Sequence, residues 1–327
     1  MHTLNVRNVH KTLPHVIHHA CIWGDKTDNP TVSLPEPVSV RCALPLERVM
    51  FWPEEADCNP FCQLHDGLWM LAGRNDAAAL ESFGVDPVRT NRVVHDAYGF
   101  RWRHHFGIDQ LDHIIMALRT DPHSEHCVLQ TWSPQLDLVR PHPDVPTTTQ
   151  IYFSRDEFGA LNMMATSRAG DMVQAAYRGE SVHLSMLQEY LAHGIGCDVG
   201  HYWHVHAKLY ANRKEFTKLA STRMPRGKCP YAEQSVAPFP MFNTALDSWH
   251  GDLEMFMDCG MVLGIKDPFF RKVAAPVFQA FDAFNNNEGD AKYAVPLAIL
   301  AKCAASDWRK ACIDWLKRRE DEQWGVA

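Results

Sequence analysis

The sequence has no Cys-x-x-Cys pair, no apolar stretch of bilayer length and no surplus of positive charge. Each absence closes a class of function. Ten cysteines scattered without pairing give no disulfide framework or zinc ribbon. The opening Met1-His2-Thr3-Leu4-Asn5 lacks the apolar core of a signal peptide, so the expectation is a cytoplasmic chain with reduced thiols. Without a long apolar run no membrane span is expected. A net charge of −7 gives no electrostatic footprint for duplex nucleic acid or an anionic membrane surface. There is no internal repeat and no low-complexity tract.

What is there is a globular composition. The 327 residues are 46% hydrophobic and 22% charged, enough for one large domain or a domain with an extension. Nineteen histidines need an explanation. His201, His204 and His206 fall in one expected strand, where His204 and His206 share a face. No Asp, Glu or Cys stands at ligand spacing beside them, so packing or solvation is the better reading and no metal site is expected.

Apolar spacing predicts a short helix around His10–Ile22 and another over Pro60–Leu71, with Phe61, Leu64, Leu68, Trp69 and Leu71 on its buried side and Gly73 ending it. A helix over Asp109–Leu118 stops before Asp121-Pro122. His126–Trp132, Gln150–Phe153 and Leu161–Thr166 are β-rich. A long helix runs from about Val173 to His193, closed by Gly194 and Gly196, and His201–Leu209 is a further strand. Beyond about residue 215 the pattern is helical. It ends in a helix with Ser306 as N-cap and Trp308, Ala311, Cys312, Trp315 and Leu316 on one face.

Several short motifs are weak singly and specific in order. Tyr98-Gly99-Phe100-Arg101-Trp102-Arg103, Asp109-Gln110-Leu111, Asp121-Pro122-His123-Ser124, Trp132, Pro146 and Arg168-Ala169-Gly170-Asp171 resemble, in that sequence, the thymidylate synthases and deoxycytidylate hydroxymethylases. Cys58-Asn59-Pro60-Phe61 and the run Leu68 to Asp76 are similar to the phage-type branch. The resemblance covers roughly residues 45–215. It implies an α/β (α+β) fold, with a mixed sheet flanked by helices over residues 1–215 and a helical extension over 216–327. It also implies a homodimer formed sheet against sheet, 5,10-methylenetetrahydrofolate as cofactor, and a nucleotide or nucleoside substrate in a bacterial or phage-infected cytoplasm.

In that family a cysteine thiolate adds to C6 of the pyrimidine, so that C5 can attack the folate-borne carbon. Here the residue after Pro146 is Thr147. A hydroxyl is far less acidic than a thiol, and no adjacent base is evident along the chain. Cys127 lies in the interface strand, a poor place for a substitute. Carried over by position, the proton-relay glutamate falls at Asp66, and Tyr98 and Trp102 keep the family's Tyr-Gly-x-x-Trp-Arg. The phosphate arginine is Arg168, beside Ala169 instead of serine, and the partner arginines become Glu125 and His126. The ribose positions are Tyr210 and Asn212. The folate aspartate is Asp171, with Trp102 also assigned to the cofactor. An arginine loop is replaced by Lys26-Thr27-Asp28-Asn29. The base-reading asparagine becomes Glu180. An ionised carboxylate accepts and does not donate, so guanine offers it a bidentate edge, cytosine one donor beside an acceptor, and uracil fits poorly. Losing two or three phosphate partners at about 1.5–3 kcal/mol each argues against ordinary thymidylate synthesis. The expectation is one-carbon transfer to a base other than standard deoxyuridylate without a cysteine nucleophile. The alternative is a catalytically inactive relative that serves as a binding or scaffolding partner.

Overall fold

The computed structural model describes residues 1–25, 27–52, 58–83, 89–90, 93–139, 145–173, 179–221, 228–259 and 262–324. Its centre is a six-stranded mixed sheet. The strands are β1 (His2–Asn8), β3 (Val38–Leu44), β4 (Val128–Gln130), β5 (Thr148–Arg155), β6 (Leu161–Ser167) and β8 (Val199–His206). They lie side by side as β1-β3-β8-β6-β5-β4. β1 runs parallel to β3 and β8 parallel to β6, and the remaining neighbours are antiparallel. A smaller sheet joins β2 (Thr31–Ser33), β9 (Leu209–Asn212) and β7 (Gly170–Asp171). The stretch expected as one strand over His201–Leu209 is therefore two, in different sheets.

One face of the large sheet is dry. Leu161, Met163 and Ala165 on β6, Ile151 and Phe153 on β5, and Val38, Val40 and Cys42 on β3 are buried together, as a period of two requires. Two helices cover them. α2 (Pro60–Leu71) begins where Asn59 Oδ1 accepts the backbone N–H groups of Phe61 and Cys62 and where proline stands in the first turn. Gly73 ends it with φ +69°, a left-handed conformation that glycine adopts without strain. α4 (Ser181–Ile195) ends the same way at Gly196, φ +83°. The described part of α4 starts later than the sequence expectation, of which 174–178 lies outside the described residues. α1 (Thr12–Trp23) and α3 (Gln110–Thr120, capped by Asp109) complete the cover.

The C-terminal helices α6 (Leu246–Cys259), α7 (Ala275–Asn286), α8 (Ala291–Leu300) and α9 (Ser306–Trp324) seal the other side of α2. Phe61 meets Phe281 and Trp315 at ring separations of 5.2 and 5.5 Å, so the tail fixes the helix that carries Asp66. Ser306 does not act as the expected cap. Its Oγ accepts from Ala237 N at 2.9 Å and donates to Ala237 O at 3.3 Å, which pins the preceding loop.

Candidate active site

The sheet brings Thr148 to the core by a local irregularity. Ile151 and Phe153 face inward, so strict alternation would send Thr149 inward and Thr148 out. The β5–β6 register shifts between Thr148 and Gln150, and this extra residue turns Thr148 to the buried side. There it stands opposite Ser167, while His206 on β8 pairs with Ser167 from the other neighbour. Tyr98 arrives on a short helical turn wedged against the end of α2. A Cβ at Gly99 would sit 1.8 Å from Met70 O, so only glycine permits the approach. Arg101 then locks this turn by paired bonds to buried Asp137 at 2.6 and 2.9 Å.

These elements converge on Glu180, just before α4. Its Oε1 accepts from Tyr98 Oη at 3.0 Å, Thr147 Oγ1 at 3.1 Å and Thr148 Oγ1 at 2.5 Å. The Tyr98 oxygen itself accepts the backbone N–H of Thr147 and of Thr148, both at 3.0 Å, and lies 2.7 Å from Thr147 Oγ1. Burial, then the Glu180 charge, pushes the Tyr98 phenol well above its ordinary value, so it remains a donor. The second carboxylate oxygen, Oε2, is buried and takes no hydrogen bond in this cluster. A carboxylate not evident beside Thr147 in the sequence thus lies 3.1 Å from its hydroxyl.

Behind Thr148 runs a line of buried hydroxyl and imidazole groups. Thr148 Oγ1 is 2.9 Å from Ser167 Oγ, Ser167 Oγ 2.8 Å from His204 Nε2, and His204 Nδ1 2.9 Å from Tyr202 Oη. Burial drives the His204 pKa down to about 3, so the ring is neutral with a single N–H. One proton arrangement then satisfies the whole line: Tyr202 donates to Nδ1, Nε2–H to Ser167, Ser167 to Thr148, and Thr148 to Glu180. His206 lies against His204 with ring centres 4.0 Å apart. Among the described residues no three His, Cys, Asp or Glu converge on a point that could hold a metal ion.

The other expected site residues fall in three places. Asp66, on α2, lies at the margin of the cluster with Oδ1 buried and 3.6 Å from His65 Nδ1. Arg168 is exposed and donates to the carbonyls of Pro146 and Val145, both at 3.0 Å. Its guanidinium lies 5.8 Å from the Trp132 ring centre. With Gln130, Trp132, Thr149 and Gln150 it lines a cleft of about 240 Å³, to which no member of the Glu180 cluster contributes. Asp171, Tyr210 and Asn212 belong to the small sheet, where Asp171 pairs with Tyr210.

Several expectations change. Trp102 has no exposed surface, and its indole N–H donates to Thr131 Oγ1 at 3.0 Å. It supports Tyr98, 6.0 Å away between ring centres, and cannot lie against a cofactor. Asn212 is a helix cap. Its Oδ1 accepts from Lys214 N at 2.9 Å and Glu215 N at 3.4 Å at the start of α5 (Arg213–Ser221). Cys127 is buried opposite Phe153, whose N–H its carbonyl accepts. That places it five residues along β5 from Thr148, roughly 16 Å at about 3.3 Å per residue, and burial raises its thiol pKa. Lys26 of the expected loop replacement lies outside the described residues. Of the two residues assigned to folate, Trp102 is enclosed, and Asp171 is half-buried at the end of a strand with one oxygen accepting Val173 N at 2.8 Å.

Thr148, Ser167, Tyr202 and His204 were not expected at the site. Their signal is polarity at inward strand positions between apolar ones, which marks a satisfied polar network or a site.

Comparison with known proteins agrees with this geometry. The thymidylate synthase family model matches residues 57–244. A deoxyuridylate hydroxymethyltransferase of Pseudomonas phage M6 is 36% identical over 337 residues, 98% of this chain and 95% of that protein. The deoxyuridylate hydroxymethyltransferase of Bacillus phage SP01 is 24% identical over 53% of this chain and 49% of its own length. The thymidylate synthase of Equine herpesvirus 2 is 28% identical over 50% of this chain and 66% of its own. With its mixed sheet, and with Tyr98, position 147 and position 180 brought to one point, this chain belongs to the thymidylate synthase family.

Proposed function

We propose that the protein is a folate-dependent one-carbon transferase that places a hydroxymethyl group on C5 of a pyrimidine nucleotide, with uracil as the base. The observation that carries this reading is the division of labour within Glu180. Three hydroxyls occupy Oε1 and leave Oε2 alone to meet a ligand. A bidentate guanine edge needs both oxygens, so that mode is lost. A single acceptor suits the N3–H of uracil, the poor match of uracil to a two-oxygen carboxylate notwithstanding. The names of the two phage relatives point to the same substrate class.

In this reading Thr147 takes the place of the thiolate. As Thr147 Oγ1 bonds to C6, its proton passes to the Glu180 carboxylate 3.1 Å away. The C5=C6 electron pair moves toward C4 and O4, and C5 becomes the nucleophile. Tyr98 and Thr148 hold Glu180 in line, and elimination from C6 returns the proton to Thr147 once C5 has lost its own. Asp171 would hold the pterin. The folate, when bound, would supply the carbon at the oxidation level of formaldehyde and leave as tetrahydrofolate, with water supplying the oxygen of the hydroxymethyl group. Arg168 would meet the 5′-phosphate after releasing one of its two carbonyl bonds. The outer face of the large sheet, with Tyr152, Met164 and Trp203 lining one hollow, would meet a second copy.

The test is incubation with labelled 5,10-methylenetetrahydrofolate and deoxyuridylate or deoxycytidylate, followed by mass analysis. A hydroxymethylated deoxyuridylate is expected. Its absence, with no binding of nucleotide or folate by calorimetry, refutes the assignment. That outcome favours the second reading, a non-catalytic scaffold, which the engagement of Arg168 with backbone carbonyls supports.

A further inference from the structure

Like Glu180 Oε2, Asp66 Oδ1 and His183 Nε2 are buried without a hydrogen bond, as is His65 Nδ1 next to Asp66. His183 follows Glu180 by three positions, so the two side chains share a helix face. Its ring also reaches α2. A Cβ on Gly67, next to Asp66, would lie 3.6 Å from its Cδ2, and one on Gly179 would lie 3.5 Å from its Cε1. Both carboxylates act electrostatically on the ring, which also bonds to the backbone of Gln63 in the sense that favours a protonated imidazole. That bond is therefore a donation to a carbonyl. Because Nε2 is the nitrogen without a partner, Nδ1–H is the donor and Nε2 carries the lone pair of the neutral ring.

Two carboxylates, Asp66 and Glu180, thus act on the His183 ring, and the His65 Nδ1 next to Asp66 stands 3.6 Å from Oδ1, beyond hydrogen-bond reach. A divalent cation would satisfy them, but Asp66, His183 and Glu180 do not converge as a metal-holding group. The remaining answers are a ligand N–H or a proton. Uracil supplies one N–H, at N3, and next to it a carbonyl at C4 that is itself an acceptor. Facing Asp66 and a neutral His183, that carbonyl would be repelled.

We propose that His183 is the proton carrier of this site: it takes up a proton at Nε2 as a uracil nucleotide binds and donates it to O4, while Glu180 Oε2 accepts N3–H. This rests on the uracil reading above. The same proton then meets the charge that gathers on O4 when C6 is attacked, and it returns to the imidazole when the ring double bond re-forms. His183 is an additional base-contacting residue, on a helix position that none of the sequence motifs marks. In the free protein burial lowers its pKa, while Asp66 and Glu180 pull the other way. The groups around it are Asp66 and His65 on α2 and Glu180 on its own helix. Through Glu180 it also senses Tyr98, Thr147 and, from β8, His206.

The experiment is calorimetric titration of the full-length protein at pH 7.5 in buffers of different ionisation enthalpy. Deoxyuridylate should bind with uptake of about one proton at His183, whereas deoxycytidylate, whose N4 amino group supplies donors, needs none at that ring, and any uptake with it, at Glu180 against N3, should persist in His183→Gln. His183→Gln should bind deoxyuridylate without uptake. Nitrogen-15 spectra of the free wild-type protein provide a check independent of folding in the variant, and should show His183 neutral with its proton on Nδ1. Deoxyuridylate binding without proton uptake, equal uptake in His183→Gln, or an Nε2–H tautomer in the free protein overturns the proposal and leaves the uracil reading standing. Failure of both nucleotides to bind overturns both.

Discussion

Replacing Glu180 with glutamine tests the base-reading geometry with a change of one atom. Oε1 must remain an acceptor, because Tyr98, Thr147 and Thr148 all present hydroxyls to it. The amide nitrogen is therefore forced to the Oε2 position and points a donor into the cleft. A flipped amide would set three hydroxyl donors against an N–H, which is worse. Uracil presents a donor at N3 and cytosine an acceptor. The variant thus exchanges a charge-assisted bond to deoxyuridylate for a donor–donor contact. The lost bond amounts to about 1.5–3 kcal/mol, or about 10- to 150-fold in Kd, before any repulsion is added. Deoxycytidylate moves the opposite way. The assay is calorimetric titration of both nucleotides against both proteins, with circular dichroism to establish that the variant is folded. An inverted preference is the expected result. Deoxyuridylate affinity unchanged in Glu180→Gln would show that position 180 does not face the base, and the reading of the site would fail with it.

Two further outcomes follow from the interior. Thr148→Val keeps the shape but removes the donor between Ser167 and Glu180. The cost should be about 1–3 kcal/mol, seen as a fall in Tm of about 2–5 °C for a chain this long; an unchanged Tm would mean the line of hydroxyls carries no energy. Asp307 is buried against Tyr231, and burial raises its pKa to about 6. Above pH 6 the carboxyl is ionised in folded and unfolded chain alike, and below its ordinary value near 3.8 it is protonated in both. In between, the folded chain holds a proton that the unfolded chain has released, so lowering the pH from 6 to 4 stabilises the fold through this group. Urea denaturation across that window should show this contribution in the wild type and not in Asp307→Asn.

The elements that hold the site were legible because each depends on local chemistry. Pro60–Leu71 follows from an apolar stripe closed by Gly73, and the helix read from Asp109 begins one residue later, with Asp109 as its cap. Position 147 and Glu180 were legible as candidates, and the fold brings their side chains within 3.1 Å of each other. What the sequence concealed are facts of sheet register. Thr148 faces inward only because one extra residue interrupts β5, and Ser167 and His204 become its partners only when three strands that are distant in the chain lie side by side. Trp102 was misassigned for a related reason. A residue that supports a motif and one that touches a ligand look alike until burial and hydrogen bonds separate them.

The missing cysteine takes on a different meaning in this setting. A thiol placed at 147 by Thr147→Cys would not by itself become a thiolate nucleophile. It would lie against the Glu180 carboxylate, and a neighbouring negative charge raises a thiol pKa. The hydroxyl and the carboxylate suit each other as acid and base, whereas a thiolate and a carboxylate would repel, so positions 147 and 180 act as a unit. Thr147→Cys should therefore react slowly with a disulfide reagent near neutral pH. Thr147→Cys combined with Glu180→Gln should react faster, with its midpoint moved to lower pH. Cysteine-dependent nucleotide chemistry would recover, if at all, in the double variant and not in the single one. Equal thiol reactivity in the two would show that no charge lies beside position 147 and that Glu180 is not its base.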